Sequence, residues 1–90
     1  MVKIKMDDEN LKKLLKSEKW VITAAVAENS TLPEILDMLA GYEGPKKWIV
    51  KAVVAENPYT SEKTLEKLAK DEDERVSATA RKRLESLLRH

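Results

Sequence analysis

The chain has 90 residues, enough for one domain with a small core, since a chain of this size buries only about 60–65% of its unfolded surface. Its 17 basic and 16 acidic side chains nearly cancel to a net charge of +1. No global field therefore steers it toward nucleic acid or an anionic membrane, and any basic site must be local. The absence of cysteine excludes a disulfide framework, a thiolate metal site and a cysteine nucleophile, and leaves a cytoplasmic location as the expectation.

Taken in chain order, Val2-Lys3-Ile4-Lys5-Met6 alternates apolar and basic residues and reads as a short strand or, with no second strand-like segment to pair with, as an extended arm. No apolar run of signal-peptide length follows. Asp7 or Asp8 supplies an N-cap. Leu11, Leu14 and Leu15 then continue at helical spacing to Lys16. Ser17 is the next N-cap, and the helix containing Trp20 to Ala27 is apolar around nearly its whole circumference except at Thr23, which predicts burial. That run is the longest nearly apolar one and is far short of the ~20 residues a spanning helix needs. The chain is therefore expected to stay out of the membrane.

The helix is expected to stop at Glu28-Asn29-Ser30, with Thr31 and Glu34 forming a capping box and Pro33 in the first turn of the next helix. Ile35, Leu36, Leu39 and Ala40 make its apolar stripe. Gly41 and Gly44-Pro45 bracket a turn, with Pro45 placed to open a second tryptophan helix. That helix stops at Asn57, because Pro58 disfavours the helical conformation of the residue before it. Thr60 or Ser61 restarts the chain, and Leu65, Leu68 and Ala69 repeat the stripe. Asp71 with Glu74 forms a further cap and box before a last helix whose stripe is Val76, Ala80, Leu84, Leu87 and Leu88.

An internal repeat organises this order. Lys19-Trp20-Val21-Ile22-Thr23-Ala24-Ala25-Val26-Ala27-Glu28-Asn29 returns 28 positions later as Lys47-Trp48-Ile49-Val50-Lys51-Ala52-Val53-Val54-Ala55-Glu56-Asn57, with seven of eleven positions identical and two exchanging Val with Ile. Periods of about 20–50 residues mark stacked-repeat architectures. The fold class predicted is all-α, a right-handed α-solenoid of three stacked helix pairs (about six helices) over residues 7–29, 31–57 and 60–89. Each pair is an outer amphipathic helix followed by an inner one. The last helix is apolar on one side and otherwise carries Arg75, Arg81, Lys82, Arg83, Glu85 and Arg89, as a terminal capping unit requires.

Residues 50–76 resemble the variant leucine-rich repeat, a short helical-repeat family whose motif runs Val-Arg-x-x-Val-Ala-x-Asn-Pro-x-Thr-Pro, then Leu-x-x-Leu-Ala-x-Asp, then Val. Val50, Val54, Ala55, Asn57, Pro58, Thr60, Leu65, Leu68, Ala69, Asp71 and Val76 stand at the matching places, with Lys51 for the arginine and Ser61 for the second proline. The preceding unit matches more loosely from Ile22 to Ala40, with Ser30 for the proline and one residue fewer before Thr31. The resemblance implies a right-handed helical solenoid with interaction roles and transfers no catalytic residue. The insertion at Gly41 to Lys47 and the tryptophan pair depart from the motif and keep a HEAT-like arrangement as the near alternative.

Candidate chemistry is thin: the single histidine is His90, and no nucleophile–base set or ligand spacing stands out, so the reading is non-enzymatic, with no cofactor or metal. Glu28, Glu56 and Lys82 hold equivalent places and are expected to form a salt-bridged ladder, the lysine offsetting a carboxylate in a helix's last turn. Asn29 and Asn57 read as turn formers. Trp20 and Trp48 fall side by side in stacked units, as core or as aromatic anchors for a partner. Lys19, Lys47 and Lys51, with Arg75 and Arg81, fall on one face, which is either a phosphate-contacting stripe or a mixed solvated face interrupted by Glu18, Glu43 and Asp73. The predicted function is a protein–protein interaction or scaffolding module, with nucleic-acid binding as the alternative. Leu84, Leu87 and Leu88 overhang the stack and make a homodimer through the C-terminal helix a further expectation. A charged share of 37%, rich in lysine and glutamate, matches the balance of proteins from hot-living organisms.

Overall fold

The computed structural model describes residues 20–89, which form five α-helices and no strand. They are α1 (Trp20–Asn29), α2 (Pro33–Leu39), α3 (Lys47–Glu56), α4 (Glu62–Leu68) and α5 (Glu74–Leu88). The expected arm at Val2–Met6, the helix ending at Lys16, the Ser17 cap, Lys19 and His90 lie outside the described residues. None of the described helices is long and apolar enough to cross a membrane.

Central to the packing is α3, which lies against α1 on one side and α5 on the other. The short helices α2 and α4 pack beside this row, α2 on α1 and α3, and α4 chiefly on α5. Spacing of the apolar side chains accounts for it. Val50 and Val54, four apart on α3, are fully buried, as are Val76 and Ala80 at the same spacing on α5. Leu36 and Leu39 of α2, and Leu65 and Leu68 of α4, close the core from the other layer. Each fully buried Val or Leu contributes about 1.5–3 kcal/mol relative to exposure.

The tryptophan helix α1 departs from the expectation of all-round burial. Thr23 is 4% exposed while Val21 is 58% exposed. Thr23, Val26 and Ala27 share one helical face at i, i+3 and i+4, so the polar residue is carried into the core and the apolar Val21 is turned away from it.

Helix starts also differ from the predicted caps. In α2 the N-cap is Leu32, without a side-chain bond, and Pro33 takes the first position, where its missing N–H is harmless. The Thr31–Glu34 box is therefore not formed; Ser30 Oγ instead accepts from Leu32 N–H at 3.2 Å. Ser61 does cap α4, accepting from Thr64 N–H at 3.2 Å. In α5 the cap is Asp73, which accepts from Arg75 N–H at 2.9 Å. Asp71, two residues earlier, accepts from Asp73 N–H at 2.8 Å with one oxygen and from Lys51 with the other.

Pro45 does not open α3. Helix α3 starts at Lys47 after Lys46 in the left-handed region, φ 55°. The turn before it closes on itself: Tyr42 Oη donates to Pro45 O at 3.2 Å, and a side chain at Gly44 would collide with the Tyr42 ring.

Candidate functional site

The first turns of α3 and α5 bring most of the candidate basic residues to one charged surface, but each arrives with its own carboxylate. Lys47 and Lys51, four apart on α3, share a face. Lys47 is 55% exposed and lies 3.4 Å from Glu43 in the preceding loop. Lys51 is 12% exposed and donates to Asp71 at 3.0 Å, with Asp71 16% exposed. Arg75, one residue into α5, donates from Nε to Asp73 Oδ1 at 3.0 Å and from its terminal nitrogen to Oδ2 at 2.8 Å. Glu43 and Asp73, expected to interrupt a phosphate stripe, are thus the partners that neutralise it. Residues Glu43, Lys47, Lys51, Lys70, Asp71, Glu72 and Asp73 line a surface cleft of about 540 Å³.

These pairs set the ionisation of the acids. Burial pushes the Asp71 carboxyl up, but the Asp73 backbone N–H and Lys51 outweigh it and hold it below its ordinary 3.8. Asp73 is held low first by the Arg75 side chain, and Arg75 is raised in turn by Asp73. On the outer layer, Asp37 is lowered by the Thr64 hydroxyl and then by Lys67. Thr64 Oγ1 donates to Asp37 Oδ1 at 2.8 Å, which ties α4 to α2.

The same surface fixes Trp48. Its ring packs half-buried against the core, and the Arg75 guanidinium carbon sits 3.6 Å above the ring centroid. A guanidinium held flat by a two-oxygen fork and stacked on an indole loses little freedom when a partner engages it. Trp20 is half-buried. Arg81 is exposed and donates to Ser77 Oγ at 3.3 Å along its own helix, apart from the Trp48 cluster. Leu84 is half-buried against the core, Leu87 is 47% exposed and Leu88 78% exposed.

Two expectations are corrected. Glu56 and Lys82 form no ion pair with each other, although both line a cleft of about 380 Å³ with Thr79, Arg83 and Ser86. Both side chains are exposed, and solvated charges gain too little to be held in one geometry. Asn57 is far more than a turn former. It is 4% exposed, and its Nδ2 donates to Ala27 O at 2.7 Å, Ser30 O at 2.9 Å and, more loosely, Glu28 O at 3.4 Å. Its Oδ1 accepts from Tyr59 N–H at 2.8 Å. Carbonyls at the end of α1, without an intrahelical partner, are thus satisfied by the following unit. Asn29, at the same place one period earlier, is exposed and donates to Ala25 O of its own helix at 2.8 Å.

Among the described residues no His, Cys, Asp and Glu side chains gather into a set able to hold a metal ion. No protein-family model matches this chain, and comparisons with curated proteins and with solved structures find no significant match.

Proposed function

We propose that the chain is a right-handed α-solenoid of the variant leucine-rich repeat kind, built of three units at about 7–29, 31–57 and 60–89. Its role is to present a rigid surface to another protein as an interaction or scaffolding module, with no catalytic chemistry. The row α1, α3, α5 and the hydrogen-bonded join at Asn57 support the stacked arrangement. The observation that carries the functional reading is the Trp48–Arg75–Asp73 cluster. Tryptophan and arginine are the residue types most enriched among interface hot spots, and here they are held in place before any partner arrives. The nucleic-acid alternative has less support, because Lys47, Lys51 and Arg75 each face a carboxylate of the same chain, which reduces the counterions that phosphate binding would release.

Two measurements test the reading. Quantitative affinity capture from a cell lysate compares the intact chain with Arg75→Ala, whose side chain is exposed. A protein retained by the first and lost from the second, with unchanged circular dichroism, is the expected result; equal retention by both overturns the assigned surface. Titration with labelled duplex and single-stranded DNA at low and moderate salt is expected to show no binding. Binding that weakens with a log–log salt slope of several units replaces the protein reading with phosphate contacts.

A further inference from the structure

The later part of α5 carries a charge opposite to that of the chain before it. Over residues 20–80 seven basic and eleven acidic side chains leave a net −4, whereas over residues 81–89 four basic and one acidic leave +3. At about 100° per residue, Thr79, Lys82, Arg83, Ser86 and Arg89 lie within an arc of about 120°, and no carboxylate of α5 falls inside it. Glu56 of α3 and Glu85 stand at its margins. Glu56, Thr79, Lys82, Arg83 and Ser86 line one cleft of about 380 Å³, and Lys82, Glu85, Ser86 and Arg89 line another of about 400 Å³. Sharing Lys82 and Ser86, the two adjoin and follow the helix from Thr79 to Arg89, about 15 Å at 1.5 Å per residue. Among the described residues the ion pairs leave Lys82 and Arg83 without a carboxylate, and Arg89 has Glu85 at 3.6 Å with both side chains largely in water.

We propose that these adjoining clefts dock an acidic segment of another protein, seating a carboxylate at Lys82 and Ser86, where the clefts meet, between Arg83 and Arg89. The inference rests on the reading of the chain as an interaction module but not on the Trp48 surface. Arg75 stands seven residues before Lys82, about 10.5 Å along the helix, and is already held by Asp73. Charge chooses the partner. Three cations and two carboxylates line the joined clefts, an excess of one that a single carboxylate neutralises, and a long polyanion such as a nucleic-acid strand would also meet the net −4 of residues 20–80. The hydroxyl that completes the seat is that of Ser86, because Thr79 donates its own to Arg75 O at 2.8 Å. Lys82 and Arg83, held by no carboxylate of the described residues, give up no such pairing when an external one arrives, and a charge-assisted bond is about twice as strong as a neutral one.

Backbone amide resonances of the full chain, followed by NMR during titration with a short end-blocked peptide of alternating aspartate and serine at low salt, test this. The peptide is expected to bind with a dissociation constant of about 1 mM, as a few exposed charge pairs allow. It is expected to move the amides of residues 79–89 most and to lose its hold as salt is raised. Lys82→Gln, at an exposed position, is expected to weaken binding about threefold, and Lys82→Glu at least about tenfold. Arg75→Ala is expected to bind as the intact chain does. Binding lost in Arg75→Ala and kept in Lys82→Glu assigns the acidic segment to the Trp48 cluster and overturns the proposal, while leaving that cluster's own role standing. Equal shifts from the matching asparagine and serine peptide overturn it, as does the absence of any shift. Tighter binding of a single-stranded oligothymidine of the same charge overturns it too, by making the surface a phosphate site.

Discussion

Replacing Asn57 by alanine should be the most damaging single change that removes no apolar core atom. The side chain is 4% exposed and supplies two donor contacts under 3 Å to the end of α1, at Ala27 O and Ser30 O, while accepting Tyr59 N–H. Three net hydrogen bonds at about 1 kcal/mol each come to about 3 kcal/mol. The buried Ala27 carbonyl left without a partner adds to that figure, while water reaching the partly buried Ser30 side subtracts from it. For a domain whose whole stability is about 5–15 kcal/mol, a loss of about 3 kcal/mol lowers the melting temperature by about 12–24 °C at this length. Thermal and urea melts followed by far-UV circular dichroism measure it. The internal control is Asn29→Ala, the same residue one period earlier, exposed and bonded within its own helix. It should cost about 0.5 kcal/mol or less. Equal losses at the two asparagines would refute the inter-unit join.

Val54→Ala should cost about 2 kcal/mol, and more than Val76→Ala, in denaturant melts: both are fully buried, but Val54 stands on the helix with a neighbour on each side. Acid should weaken the fold. Asp37, Asp71 and Asp73 all titrate below their unfolded 3.8, so the stability they contribute is complete above that value and is lost as pH falls through their folded values. Asp71→Asn should flatten that acid limb in melts taken at stepped pH. Lys51→Ala, which leaves a largely buried Asp71 without its cation, should lose about 2 kcal/mol at neutral pH. Arg75→Ala should leave the melt little changed, since the Asp73–Arg75 pair is exposed, and move the emission of Trp48, read against a Trp20→Phe background.

Much of the helical layer was legible because apolar spacing acts locally. Leu36, Leu39, Leu65, Leu68, Val76 and Ala80 were assigned to apolar stripes from spacing and are buried, while Ile35, Ala40, Ala69 and Leu84 of the same stripes are half-buried and Leu87 and Leu88 exposed. Long-range polar pairing was not legible in the same way. Asn57 beside Pro58 carries every local mark of a helix stop, while its acceptors lie 27 and 30 residues back. The usable signal was the repeat itself, which sets Asn57 at the end of α3 one period after the end of α1, where its acceptors lie. Likewise, Asp71 and Asp73 both have cap chemistry, and sequence does not say that Asp73 caps α5 while Asp71 pairs with Lys51 of a neighbouring helix. The carboxylates beside Lys47, Lys51 and Arg75 were hidden for a related reason. Periodicity places cations on a face but does not say which loop carboxylates will fold over them.

The repeat conceals a division of labour that the buried positions reveal. Ala27 and Ala55 are each fully buried, and a side chain this small lets the next helix of the row approach closely. The third unit has Arg81 there, exposed and bonded back to its own helix. Where the second unit has the joining Asn57, the third has Arg83, half-buried, with a cation in place of a carboxamide. Thr23 and Ser77 are buried at the place where Lys51 reaches its carboxylate. The same register thus yields a stackable surface twice and a charged one at α5. Under the solenoid reading proposed above, inner surfaces must be small and apolar and an outer one must meet water. The identity shared by α1 and α3 is lost in α5, at the end of the described row where the exposed Leu87 and Leu88 lie.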